Sequence, residues 1–125
     1  MAQGREAAAE LGQAVAEGRF KLTAEAAHEL AGHYQWLVDM LVERQHELSY
    51  LYRIDGFGGF ESAQHLQQGF EGKAVQAFHV LRAAEESAYR MKAAVLQAAG
   101  LTQEVEAANA AAITAAKRES PNAKT

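Results

Sequence analysis

The chain has 125 residues, a net charge of −4 and no cysteine. That length suits one domain, and the missing thiols exclude disulfides, thiol catalysis and cysteine-ligated metal centres. Acidic and basic residues are interspersed, so there is neither a basic patch for nucleic acid nor a polybasic stripe for a membrane surface.

Pro121 is the only proline, and helix-forming residues dominate everything before it. A first short helix is expected over about Arg5–Glu17, with Ala8, Leu11 and Val15 on one face and Gly18 as its stop. Thr23 reads as the N-cap of a long second helix, with Glu25 well placed for the helix dipole. Ala27, Leu30, Tyr34, Leu37, Leu41, Arg44, Leu48 and Leu51 then alternate in steps of three and four. This is the seam of a coiled-coil-like helix, expected to reach about Arg53.

Asp55-Gly56-Phe57-Gly58-Gly59-Phe60 breaks the pattern, because clustered glycines permit a tight turn. A third helix is expected over about Ser62–Ala99. Its stripe is Ala74, Ala77, Leu81, Ala84, Ala88, Met91, Val95 and Ala98, continued upstream by Ala63, Leu66 and Phe70. Gly100 ends it, Thr102 is expected to cap an alanine-rich last helix to about Ala116, and Lys117–Thr125 reads as a frayed tail.

The expected fold is therefore all-α. Residues 1–22 form a short helix and linker, residues 23–100 a long antiparallel helical hairpin, and residues 101–125 a helix and tail. Apolar residues make up 49% of the chain, but much of that is alanine, and a lone two-layer core would be thin. Trp36, Met40, Val38 and Val42 lie off the first seam, and Val75, Phe78, Tyr89 and Leu96 lie off the second. Large contiguous apolar patches are rare on monomers. The surplus therefore points to a second hairpin that completes a four-helix bundle, with Trp36 and Met40 as interface anchors and Phe78 and Tyr89 in support. The competing reading is that the terminal helices cover this face.

The turn Phe57-Gly58-Gly59 and the stretch from there to Ala74 resemble the small helical-hairpin proteins of type VII (ESX) secretion. Those proteins carry Trp-x-Gly between two long helices; here phenylalanine replaces the tryptophan. The resemblance covers about Thr23–Ala99. It implies a homodimer or a heterodimer with a related hairpin protein, acting as a secreted substrate or its partner and engaging the secretion machinery. Two features depart from that pattern. Trp36 lies within a helix and not at the turn, and no tyrosine starts a Tyr-x-x-x-Asp/Glu signal: Val38, Ile54, Gly56 and Ala93 stand four residues after Tyr34, Tyr50, Tyr52 and Tyr89.

No run is long enough to span a membrane, and Met1–Leu22 lacks the apolar core of a signal peptide. The expected location is the cytoplasm, or the cell exterior by a route without a cleaved signal.

The one lead toward chemistry is Glu43-Arg44-Gln45-His46, since Glu-x-x-His on a helix is half of a carboxylate di-iron site. Glu61 and His65, four apart, are the remaining candidates for a metal- or small-ligand-binding bundle. No second Glu-x-x-His accompanies them, and Arg44 would sit beside the cation. No Gly-x-Ser-x-Gly and no phosphate loop is present. The chain thus reads as a non-enzymatic interaction module without a cofactor.

Overall fold

The computed structural model describes residues 2–51 and 59–120. These form four helices: α1 (Ala2–Ala16), α2 (Ala24–Leu51), α3 (Glu61–Gln97) and α4 (Thr102–Ala116), with no strand among the described residues. At 1.5 Å per residue α3 is about 55 Å long and α2 about 42 Å.

Local signals set most boundaries. The Thr23 hydroxyl accepts the Ala26 N–H at 3.1 Å and caps α2 as expected. Gly18 and Gly100 both adopt positive φ, +74° and +72°, and turn the chain after α1 and α3. Thr102 does not cap α4. It is the first helical residue, Leu101 holds the N-cap position, and no side chain bonds there. The Phe57-Gly58 part of the aromatic-glycine turn lies outside the described residues, and Gly59 lies just before α3.

α3 is the spine, and each of the other helices packs on it. α2 runs opposite to α3: Leu22 N–H donates to the Ala98 carbonyl at 3.0 Å, Lys92 Nζ to Gln35 Oε1 at 2.7 Å, and Gln45 Nε2 to Glu85 Oε1 at 2.8 Å. α1 runs parallel to α3, with Arg5 beside Glu86 and Gly12 near Gln97. α4 runs parallel to α2, from His28–Glu104 at one end to Gln45–Arg118 at the other. Directions therefore alternate along the chain.

Two apolar clusters result. The larger joins Ala31, Ala93, Val95, Leu96 and Ala108, with Leu11, Leu22, Tyr34, Leu101 and Val105 packed against it. Every helix contributes to it, so four helices of a single chain meet at this end. The smaller, further along α3, is Ala74 and Phe78 with Leu48 and Val75. Between the two lies a polar layer centred on Glu85.

The seam of α2 is not the leucine stripe. Its buried line is Ala27, Ala31, Val38 and Gln45. Leu37, Leu41 and Leu48 are only half-buried, and Leu30 and Arg44 are exposed. Helix axes approach most closely where facing side chains are small, so the alanines take the centre and the leucines move to the flank. On α3 the expected stripe is buried at Ala74, Ala88, Val95 and Ala98, but Phe78 and Leu96, expected off it, are buried too, while Leu66 is 61% exposed.

The expected frayed tail also needs amending at its start. Arg118 is half-buried, and Ser120 is 3% exposed.

Candidate functional site

Two adjacent glutamates are the most enclosed charged groups in the described chain. Glu85 and Glu86 are 1% and 2% exposed. Successive helical residues point about 100° apart, so the two carboxylates leave α3 in different directions and meet different helices. Glu85 accepts from both terminal guanidinium nitrogens of Arg118, Nη1 and Nη2, and from Gln45 Nε2. Glu86 accepts Arg5 Nη2 on both oxygens, at 2.6 and 2.8 Å, and Arg90 Nε at 2.9 Å.

Burial works to raise the Glu86 carboxyl, but the hydrogen bonds and charges of Arg5 and Arg90 outweigh it. The net position lies below the ordinary glutamate value. Burial, and then the negative charge of Glu85, push the Tyr89 phenol above its ordinary value, while its hydrogen bond with Gln35 acts in the opposite direction. No buried side-chain nitrogen or oxygen lacks a partner among the described residues. Both carboxylates tie helices together: Glu85 is held by Arg118 and Gln45, and Glu86 by Arg5 and Arg90.

The second feature is an open flank. Leu30, Leu37, Leu41 and Leu48 repeat at steps of seven, four and seven along one side of α2. Beside Leu48 a groove of about 600 Å³ is lined by Arg44, Glu47, Ala77, Val80 and Leu81. Val80 is 56% exposed there. Among the described residues no helix roofs this side: α1 and α4 both sit elsewhere on α3.

The four residues expected at a partner interface divide. Trp36 is 66% exposed and Met40 half-buried; each stands one position before a leucine of the flank, and so about 100° round α2 from it. Phe78 is buried inside the chain, and Tyr89 is half-buried beside Gln35 and Lys92. Neither of these two offers a free face. Of the off-seam surplus, Val38, Phe78 and Leu96 are thus covered within the chain, whereas Trp36 and Val42 remain exposed.

Glu43, His46, Glu61 and His65 are all exposed. Among the described residues no three His, Asp or Glu side chains come together as a metal site, so the structure does not gather the alternative ligand set. Nor is any described helix long and apolar enough to cross a membrane.

Sequence reasoning missed Glu85, Glu86, Gln45, Arg5 and Arg118. One signal could have found the two glutamates. They sit between Ala83-Ala84 and Ser87-Ala88, and a helix that is small on every side is built to be surrounded.

Compared with protein-family models, curated proteins and solved structures, the chain finds no match.

Proposed function

We propose that this protein is a non-enzymatic helical interaction module. Its open α2–α3 flank pairs with the same kind of face on a second helical hairpin, either another copy or a related protein. The supporting observation is the incompletely buried leucine stripe beside the Leu48–Val80 groove, with the exposed Trp36 on the next face of α2. Apolar side chains left at this level of burial gain most of their remaining transfer energy only when a partner covers them.

The resemblance of Phe57-Gly58-Gly59 and the residues after it to type VII secretion proteins supports a role as a secreted substrate or as the dimerisation partner of one. The aromatic anchor in the pairing is Trp36, joined by Met40. Phe78 and Tyr89 shape the scaffold behind it.

Light scattering tests this reading, on the chain alone and co-expressed with the protein encoded beside it. A dimer or a stable pair is expected. Val80→Glu should disrupt it, and Trp36→Ala should weaken it more than Trp36→Phe. A clean monomer in both settings at high concentration would remove the interface.

A further inference from the structure

α1 and α3 run parallel, and each gives one side to a shared cleft. Arg5, Ala8 and Gly12 line it from α1, and Arg90, Ala94 and Gln97 from α3, both sets in steps of three and four. With Asn109 of α4 they enclose about 340 Å³. The gap between the two helices widens along α1. A Cβ at Gly4 would stand 2.7 Å from the Ser87 hydroxyl oxygen, so the helices are pressed together there, whereas a Cβ at Gly12 would meet no atom within 4 Å.

Floor and rim differ in chemistry. Ala8 and Ala94 are 6% and 4% exposed, which makes the bottom of the cleft apolar. The rim holds uncommitted donors. Arg90 binds Glu86 through Nε and Arg5 through Nη2. Among the described residues, the other nitrogens of both guanidinium groups make no hydrogen bond, nor do the side-chain amides of Gln97 and Asn109. Two arginines set against Glu86 leave one positive charge over. Spare guanidinium N–H groups match the geometry of a carboxylate, and a cleft of this size lies within the range of small-molecule sites, about 300–1,000 Å³. The single surplus charge and the alanine floor together select a monoanion with a short apolar body.

We propose that this cleft binds a small organic carboxylate. The head group lies on Arg90 and Arg5, and the apolar body lies along Ala8 and Ala94 toward Gln97 and Asn109. Glu86 holds the two guanidinium groups in position from beneath, and the missing side chain of Gly12 keeps the cleft open. This side of α3 is apart from the Leu48–Val80 groove, so the proposal stands whether or not that flank pairs.

The probe is hexanoate, titrated into isotope-labelled full-length protein with amide chemical shifts as the readout. Saturable shifts centred on Ala8, Ala94 and Asn109 are expected, with a Kd of about 1 mM or below. Hexanol, which has the same apolar body and no charge, should bind at least about tenfold more weakly. Gly12→Leu should weaken hexanoate at least about tenfold as well, because the new side chain fills the cleft and leaves its charges untouched. Leucine is also the better helix former, so this variant keeps its fold. Arg90→Gln should act in the same direction while Arg5 keeps Glu86 paired. Shifts that do not saturate, equal binding of hexanol, or unaltered affinity in Gly12→Leu would overturn the site. Inorganic phosphate binding as tightly as hexanoate would also overturn it, since phosphate has no apolar body to place on the alanines.

Discussion

The two halves of α3 differ in company and not in kind. From about Arg82 to Ala98 the helix has α1, α2 and α4 around it, and even Ala93 and Ala94 are 4% exposed. From Glu61 to Phe70 the same helix carries larger apolar groups, yet Leu66 and Phe70 stay exposed. Burial here follows the number of neighbouring helices more than the hydrophobicity of the residue. An alanine-rich helix can be a core element when three others surround it, and a leucine-bearing one can remain a surface.

That contrast can be broken most sharply at the polar layer. Glu85→Ala removes the shared acceptor of Arg118 and Gln45 and should cost about 3–5 kcal/mol, the range for breaking a buried ion pair from one side. Denaturant unfolding measures it, and a loss below about 1 kcal/mol would show that the layer is not the junction described. Gly100→Ala should cost about 1–2 kcal/mol, because the residue sits at φ +72° and an added Cβ disfavours that region.

A smaller effect is expected in acid. The Glu86 carboxyl is held below its ordinary value, so its pairing stabilises the fold fully above the unfolded glutamate range. That contribution is lost as pH falls through the lower, folded value. Arg5 is well exposed, which tempers the size of the effect. Glu86→Gln should flatten the acid limb of a stability-against-pH curve; an unchanged slope would separate Glu86 from acid unfolding. Smallest of all, Leu66→Ala should move stability by no more than about 0.5 kcal/mol, as for other exposed positions. A large loss would show that the N-terminal half of α3 is packed after all.

How far the sequence reveals this arrangement depends on how local each cause is. Thr23, Gly18 and Gly100 act on their own backbone, and their roles are legible residue by residue. The choice of seam is not local. Size and spacing select Leu30–Leu37–Leu41–Leu48, but close approach selects Ala27–Ala31–Val38, and only the assembled neighbours decide between them. Glu85 and Glu86 are hidden for a similar reason. A glutamate on a helix is by default solvated, and what encloses these two comes from Arg5 and Arg118, far away in the chain. Of the residues expected at an interface, Trp36 is exposed and Met40 half-buried, whereas Phe78 is buried and Tyr89 half-buried by elements whose docking the periodicity of α3 alone does not reveal.

The bond between Arg5 and Glu86 spans 81 positions of chain. At 5–20 residues per second, the ribosome delivers Glu86 about 4–16 s after Arg5 has been made. Throughout that interval α1 has no spine to lie on, and α2, complete much earlier, must keep its leucine side exposed while the rest is synthesised. The order of manufacture therefore offers that side to other helices before the chain's own third helix arrives to share it.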